Sequence, residues 1–268
     1  MTTLLKKECI KSVNGLMLQF PVSLNGIVKT VFSYTLSVIM IKYKKLLIIV
    51  SGGKGLMNVI KPYFIIESEV NGEQALKLIE KAGRTCYKSE DKITETSAVD
   101  FVRRILKGKH ESVIEHYSIT VRVICDRGVT HEIVRHRLAS YSQESTRYCN
   151  YSKDKYSNQI TFIEPCFWDL NTEDGRKKYE IWKSAMEFAE KKYMELIENG
   201  ATPQEARSVL PNSLKTELVM TMNLREWRHF FKLRTDPAAH PQIREIAVPM
   251  LKKFKELIPV VFDDIEAE

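Results

Sequence analysis

The sequence lacks the cysteine patterns that form disulfides or bind metal ions in small or exported proteins. Its five cysteines, Cys9, Cys86, Cys125, Cys149 and Cys166, form no C-x-x-C pair and are odd in number. Such usage favours free thiols in a reducing compartment. With 268 residues, the chain can bury a sizeable core without disulfides or metal ions. We therefore expect a globular, cytoplasmic protein.

Apolar runs long enough to span a membrane are also missing. The apolar stretch at residues 30–41 has twelve residues and is followed by Lys42, Lys44 and Lys45. Twelve helical residues are too few for a hydrocarbon core about 30 Å thick. No small-residue cleavage site of the A-x-A kind follows the stretch. The sequence therefore favours neither a membrane partner nor export.

The net charge of +7 is confined to one end of the chain. Residues 1–56 contain eight lysines and one glutamate, whereas the remainder contains 33 basic and 33 acidic side chains. A neutral body argues against a surface for polyanions, so no nucleic-acid partner is expected. Phosphate affinity would have to come from local arginine clusters.

Composition and pattern both change near Met57. Residues 1–56 end in a glycine-rich segment that lacks the G-x-x-x-x-G-K-[ST] spacing of a phosphate loop. We hypothesise that Met57 is the biological start and that residues 1–56 are an untranslated extension of doubtful structure. Intact-mass analysis of protein from the native host tests this, since a species beginning at Met1 contradicts it. Residues 57–268 would then be the single functional domain.

From Met57 onward, local patterns predict both strands and helices. Branched and aromatic residues predict strands at 58–67, with Pro62 indicating a sheet edge, and at 118–125. A short helix is expected from Thr130, followed by a loop. Helical spacing and capping residues predict further helices at 72–82 (closing at Gly83), 97–107, 173–199, from Pro203, 224–234 and 242–257. The fold class expected is α+β: one domain with a mixed or antiparallel sheet and several long helices.

A cluster of arginines is the main candidate for a binding site. Arg135, Arg137 and Arg147 lie within thirteen residues, with several serines and a threonine between them. Guanidinium groups bind phosphate through paired hydrogen bonds, and hydroxyls add neutral donors. The cluster is therefore a plausible cradle for a nucleotide phosphate. From composition alone, solvated surface arginines remain the competing interpretation.

Motifs for other chemistries are absent. His131 and His136 are five residues apart, one too many for H-E-x-x-H, so no metal site is predicted. No G-x-G-x-x-G follows a predicted strand, which argues against a Rossmann site for a dinucleotide. No local feature identifies a base that would activate Ser145 as a nucleophile. Cys149 is interpreted as a small hydrophobic residue or an unused thiol.

The segment at residues 135–148, RHRLASYSQESTRY, resembles the signature of flavin-dependent thymidylate synthases. In that signature RHR is followed by seven residues and then Ser, which here is Ser145. Further segments match in the same order, namely H-E-S-x-x-E-H at 110–116, A-R-x-x-L-P at 206–211, N-x-R at 223–225 and L-R at 233–234. The resemblance extends from about residue 60 to about residue 265, whereas residues 1–56 match nothing in the family.

This resemblance implies reductive methylation of dUMP to dTMP. The expected cofactor is FAD, which NADPH reduces, with methylene-tetrahydrofolate as the one-carbon donor. Reduced flavin supplies the hydride and carries the one-carbon unit in this family, so no cysteine nucleophile of the enzyme is needed. The implied assembly is a homotetramer in which several subunits build each active site.

The resemblance also assigns roles to particular residues. Arg234 would be the catalytic residue beside the uracil ring, where a fixed cation favours the ionised pyrimidine. Gln143 and His229 stand where some members of the family carry other residues. The expected FAD contacts are Ser112, Arg135, His136, Arg137, Gln143, Asn223, Arg225 and His229. The expected dUMP contacts are Glu132, Arg135, Gln143, Glu144, Ser145, Thr146, Arg147, Arg207 and Arg234.

Two other classes of function remain open from the sequence. A nucleic-acid-binding module would use the arginine segment and the lysine-rich start, and its binding would depend steeply on salt. A flavoprotein reductase would bind FAD without deoxyuridylate. Yellow colour on purification separates the nucleic-acid alternative from the flavin alternatives, and a folate-dependent methyl-transfer assay tests the reductase.

Overall fold

The computed structural model describes residues 57–267, so the expectations for residues 1–56 lie outside the described residues. In chain order the elements are β1 (Asn58–Ile60), β2 (Tyr63–Ile66), α1 (Gly72–Thr85), α2 (Ser97–Lys107), β3 (Ser118–Asp126), α3 (Arg127–Ile133), β4 (Ala139–Gln143), β5 (Thr161–Ile163), α4 (Glu173–Glu198), α5 (Pro203–Ala206), β6 (Lys215–Asn223), α6 (Leu224–Arg234), α7 (Pro241–Leu257) and α8 (Pro259–Phe262). Short 3-10 turns add Glu90–Lys92, Glu111–His116, Asp154–Tyr156 and Arg207–Val209.

Four strands form an antiparallel sheet in the order β2-β3-β6-β4. The central pair is β3 with β6, which runs in register from Ser118 opposite Asn223 to Asp126 opposite Lys215. A separate two-stranded parallel sheet pairs β1 with β5. The predicted α+β class is thereby confirmed, and the larger sheet is antiparallel.

One face of the antiparallel sheet is apolar and packs against helices. Alternate residues of β3 and β6, such as Val121 and Met220, are fully buried because successive side chains of a strand point to opposite faces. Trp227 of α6 lies at the centre of this core, 4.8 Å between ring centroids from Phe254 of α7. The core therefore fixes α6 on the sheet, directly after β6.

Two predicted elements have different limits in the structure. The strand predicted at 58–67 is broken into β1 and β2, which pair in different sheets. The helix predicted to close at Gly83 continues to Thr85. Gly83 instead allows a close helix contact, since a Cβ there would lie 2.7 Å from the ring of Phe101. Its missing side chain serves packing rather than helix termination.

The arginine-rich segment also differs from prediction. The helix expected from Thr130 begins at Arg127, because the Asp126 side chain accepts a hydrogen bond from the Val129 amide over 2.8 Å and caps the helix. Part of the expected loop is β4, which pairs with β6 along its whole length. The segment is therefore held between a helix and a sheet edge.

Other predictions of local structure are confirmed. Helices Ser97–Lys107 and Leu224–Arg234 have the expected limits, and the Asn223 side chain caps the second. Thr202 and Glu205 form the expected capping box. The last long helix starts at Pro241, one residue before the predicted start, and Pro249 lies inside it. Within residues 57–267, no helix combines the length and the apolar character needed to cross a bilayer.

Candidate functional site

The turn from β6 into α6 joins two of the signature segments. Arg225, in the first turn of α6, donates from Nη1 to Oε1 of Glu115 over 2.7 Å. Arg228 is buried and lies one turn later, with its Nε 3.4 Å from Oε1 of Glu111. Both glutamates belong to the 3-10 turn Glu111–His116. The N-x-R and H-E-S-x-x-E-H segments, more than one hundred residues apart, are therefore in contact.

A cavity of about 450 Å³ opens beside this contact. It brings together four of the predicted flavin residues, Arg137, Asn223, Arg225 and His229. The remaining lining residues are Glu111, Glu115, Leu138, Glu226, Arg228 and Lys232. The volume falls within the usual range of ligand pockets, and three of the lining side chains carry exposed cationic groups suited to phosphate.

Four predicted flavin residues, Ser112, Arg135, His136 and Gln143, are not in the lining of that cavity. Ser112 is exposed next to the lining residue Glu111, and Arg135 is exposed just after α3. Gln143 instead donates from Nε2 to the hydroxyl oxygens of Thr130 and Thr216, over 3.1 and 3.3 Å. These hydrogen bonds tie the end of β4 to β6 and α3.

His136 is buried and packs against α6. Its ring centroid is 5.4 Å from that of His229 and 5.0 Å from that of Phe230. Burial, with the positive charges of Arg234 and His229, lowers the pKa of His136 to about 4. The ring is therefore neutral at physiological pH, with one nitrogen protonated and the other free to accept.

Arg234 is held by two residues of the arginine-rich region. It donates from Nε to Nε2 of His136 over 3.0 Å. Its Nη1 donates to Oε2 of Glu132 over 2.7 Å, and its Nη2 donates to the Glu132 carbonyl over 3.1 Å. The predicted catalytic arginine is thus oriented by three acceptors. Glu132, predicted as a nucleotide contact, uses its carboxylate to hold Arg234.

The predicted nucleotide segment after β4 is tied to other parts of the chain. Glu144 accepts from the Tyr151 hydroxyl over 3.0 Å and from Lys215 Nζ over 3.1 Å. Gln143 and Glu144 line a cavity of about 380 Å³ on the outer face of the sheet. Ser145 accepts from the Arg147 amide over 3.3 Å, and Thr146 is buried.

Arg147 and Arg207 come from two different signature segments. Arg147 is exposed and donates from Nε to Oε1 of Gln204 over 2.9 Å. Gln204 lies in α5, and Arg207 follows in the next turn, also exposed. Gln204 thereby links the two segments, a contact that the sequence did not predict. The described residues that line the 450 Å³ cavity include neither arginine.

Two histidines and a carboxylate form a cluster of metal-ligand type. The ligand atoms of His136, Glu226 and His229 all lie within 4.8 Å of one another. Because Nε2 of the neutral His136 ring accepts from Arg234, the ring proton lies on Nδ1, and a cation there would have to displace it beside a guanidinium group. The absence of a metal ion stays a prediction from the sequence. Glu226 itself was not predicted as a site residue.

The fold and the cavity define an α+β protein with a pocket, lined by four basic and three acidic side chains, where signature segments converge. The sequence model of a family described as "Thymidylate synthase complementing protein" matches residues 69–260. The flavin-dependent thymidylate synthase of Geobacter sulfurreducens is 34% identical over 190 residues, covering 68% of this chain and 78% of that protein. The flavin-dependent thymidylate synthase of Pyrococcus abyssi is 39% identical over 177 residues, covering 65% and 70%. The chain belongs to this family of flavin-dependent thymidylate synthases.

A solved structure supports the fold independently. The crystal structure of a UMP/dUMP methylase PolB from Streptomyces cacaoi, bound with 5-Br dUMP, superposes with a TM-score of 0.65 at 23% identity. The alignment covers 77% of this chain and 96% of that chain. At this identity, the likeness establishes the common fold.

Proposed function

We propose that the protein methylates dUMP reductively to dTMP, as a flavin-dependent thymidylate synthase. The observation that carries this proposal is the contact between Arg234 and His136, over 3.0 Å. It joins the L-R segment to the RHR segment beside a cavity that two further signature segments line. Four segments that the resemblance associates with one reaction therefore meet at one place.

The residues around the cavity fit FAD. Arg137, Arg225 and Lys232 offer cationic donors for its diphosphate, and the buried ring of His136 lies next to His229 at the wall. We propose that Arg137, Asn223, Arg225 and His229 hold the cofactor, with His136 behind them and Ser112 and Arg135 at the edges. When bound, the flavin supplies the hydride that the methylation needs.

For the nucleotide, we propose that Arg234 lies against the uracil ring. Its guanidinium is mostly buried and already oriented by Glu132 and His136. A preoriented cation stabilises the negative charge of an ionised pyrimidine without reorganisation, which raises electron density at the carbon to be methylated. Arg147 and Arg207 would bind the phosphate, with Gln143, Glu144, Ser145 and Thr146 shaping the adjoining wall.

Further parts of the proposal concern co-substrates and assembly. We propose NADPH as the reductant and methylene-tetrahydrofolate as the one-carbon donor, in a domain spanning residues 57–268. We propose a homotetramer, as the resemblance implies; active sites shared between chains would account for the fact that Arg147 and Arg207 do not line the flavin cavity of their own chain. A cytoplasmic location accords with the free thiols of Cys86, Cys125, Cys149 and Cys166.

The reaction is tested by tritium release from dUMP labelled at carbon 5, with methylene-tetrahydrofolate, NADPH and FAD. We expect release that depends on added flavin and falls sharply in Arg234→Ala and in Arg234→Lys. The lysine variant keeps the charge but cannot reproduce the fork-shaped hydrogen bonds to Glu132 and His136.

Arg103→Ala is the matched control for this assay. Arg103 is an exposed arginine of α2 that is ion-paired with Asp100 over 2.7 Å, so its loss should leave tritium release intact. No release from a folded, flavin-loaded wild-type protein would reject the synthase and leave a flavin reductase. Failure to bind flavin at all, with salt-sensitive binding of oligonucleotides, would support the nucleic-acid alternative.

A further inference from the structure

We propose that Glu226 is a positioning residue, which fixes the tautomer of the His136 ring and thereby the orientation of Arg234. The inference rests on the proposed function, because the orientation of Arg234 matters for the methylation of dUMP. Glu226 belongs to none of the residue sets that the resemblance assigned. Its role follows from a chain of contacts that only the folded structure displays.

The first link joins Glu226 to the ring. Oε1 of Glu226 lies 3.3 Å from Nδ1 of His136, and neither atom makes a hydrogen bond with any of the described residues. Their side chains are 10% and 2% exposed. Buried polar atoms without a hydrogen-bond partner are costly, so a small closure of this 3.3 Å contact would stabilise both groups. The two groups therefore constrain each other.

The second link joins the ring to Arg234. A neutral imidazole has one protonated nitrogen and one accepting nitrogen. Nε2 faces the Nε–H group of Arg234 over 3.0 Å, and a guanidinium can only donate. Nε2 must therefore be the acceptor and Nδ1 must carry the proton, which points at Glu226. The carboxylate of Glu226 stabilises the one tautomer that allows His136 to hold Arg234.

Glu226 is itself held in place at both ends. Its backbone amide donates to the Oδ1 atom of the capping residue Asn223 over 2.9 Å. Burial raises the pKa of the Glu226 carboxyl, whereas the charge of His229, the backbone amide of Arg137 and the charge of Arg225 oppose this rise. The carboxylate therefore contacts both His136 and the residue after it. It connects the start of α6 to the RHR segment.

Removal of the carboxylate has a specific consequence for Arg234. In Glu226→Leu, Nδ1 has no acceptor, so the ring gains nothing from keeping its proton there. In the other tautomer, Nε2–H would face the Nε–H of Arg234, and two donors would oppose each other. Arg234 would then lose the acceptor on His136 and keep only the two acceptor atoms of Glu132. Glu226→Gln retains a carbonyl oxygen at the same place and should rescue the arrangement.

The tautomer can be observed directly by solid-state NMR of the full-length, flavin-loaded protein with ¹⁵N-labelled histidine. The His136 signals are assigned by their loss in His136→Gln. We expect a protonated Nδ1 and an unprotonated Nε2 in the wild type and in Glu226→Gln, and a mixture of the two tautomers in Glu226→Leu, where only the Arg234 donor still favours a protonated Nδ1. An unchanged tautomer in Glu226→Leu would overturn the proposal.

Tritium release from labelled dUMP supplies the functional readout. We expect kcat to fall about 10- to 100-fold in Glu226→Leu, as for a lost hydrogen bond to a charged group, and to recover in Glu226→Gln. Trp227→Phe is the control for damage to α6. Trp227 is fully buried and donates to the Ile119 carbonyl over 3.1 Å, so its replacement should lower thermal stability without shifting the tautomer or kcat.

The outcomes separate this proposal from the proposed function. A mixture of tautomers in Glu226→Leu with wild-type kcat would overturn the positioning role. A loss of kcat that Glu226→Gln does not rescue would also overturn it, since the carbonyl acceptor would then be insufficient. If the wild-type protein releases no tritium, the proposed function fails, and the positioning role fails with it, whereas the NMR spectra still decide whether Glu226 fixes the ring.

Discussion

Arg225 and Glu115 face each other across 2.7 Å between Nη1 and Oε1, although 110 residues separate them in the chain. Their ion pair lies at the wall of the 450 Å³ cavity, and the Arg225 side chain is 53% exposed. An arginine that is half exposed and already oriented by a carboxylate is well placed to meet an anionic ligand.

The first prediction concerns this arginine. Arg225→Ala should weaken FAD binding about 10- to 100-fold, because a hydrogen bond to a charged group is lost. Its effect on the free energy of unfolding should stay within about 1 kcal/mol, since exposed ion pairs contribute little. Flavin fluorescence titration and chemical denaturation measure the two quantities. Arg103→Ala, which breaks another exposed ion pair, should leave FAD affinity unchanged and should change the free energy of unfolding by no more than about 1 kcal/mol. Equal FAD affinity in Arg225→Ala and Arg103→Ala would refute a flavin role for Arg225.

Asn223 combines two roles that substitutions can separate. Its Oδ1 caps α6 by accepting from the Glu226 amide over 2.9 Å, and the residue also lines the cavity. Asn223→Ala should cost about 1 kcal/mol of stability and weaken FAD binding, whereas Asn223→Asp should retain the cap. Asn71→Ala removes the equivalent cap of α1 and should lower stability alone. If both alanine variants bound FAD like the wild type, Asn223 would be only a cap.

The proposed homotetramer with shared active sites predicts complementation between two inactive variants. Arg147→Ala and Arg225→Ala should each abolish most tritium release, because one alters the nucleotide segment and the other the flavin cavity. If these regions meet between chains, mixed tetramers from co-expressed, differently tagged variants should regain part of the activity. Mixtures of separately purified variants that cannot exchange subunits are the control. No recovery in verified mixed tetramers would mean that each chain builds its own site.

Acid should destabilise the protein through His136. Its pKa is lowered to about 4 in the folded state, so between pH 6.5 and pH 4 the unfolded chain binds a proton that the folded chain does not. The stabilising contribution of the neutral His136 ring is therefore fully present above pH 6.5. It is lost as the pH falls from 6.5 to 4, which lowers the free energy of unfolding by up to about 3 kcal/mol. Glu226 acts in the opposite direction, because burial raises its pKa.

The contribution of His136 is isolated by comparison with His136→Gln, whose amide oxygen can still accept from Arg234. The difference in unfolding free energy between wild type and variant should shrink or change sign as pH falls from 6.5 to 4. Urea denaturation across this range measures it. Parallel pH profiles for the two proteins would show that the buried ring does not resist protonation.

Local signals in the sequence were sufficient for some elements and insufficient for others. The start of α6 was predictable because Asn223 and the residues it caps are neighbours in the chain. The strand β4 was missed because its five residues, ASYSQ, are mostly small and polar, and only pairing with β6 makes them extended. The strand β6 was also not predicted, since methionines rather than branched residues fill part of its buried face.

In the candidate site, too, some residues were predictable from the sequence and others were not. Arg137, Arg225 and Arg234 were found because they belong to motifs that can be read along the chain. The contacts within the site could not be read in this way, since Glu115 meets Arg225, Glu226 meets His136 and Gln204 meets Arg147 only through folding. For Glu226, the available signal was its position three residues after a helix cap, which predicts local structure rather than catalysis.

The place of β6 between β3 and β4 has a consequence for synthesis on the ribosome. Both neighbouring strands leave the exit tunnel many residues before β6 does, and each has a sheet edge that only β6 satisfies. A nascent chain that stops before Lys215 carries two unpaired edges, which are templates for association with other chains. Premature termination before Lys215, which removes the last fifth of the chain, should therefore yield aggregates rather than a partly active enzyme.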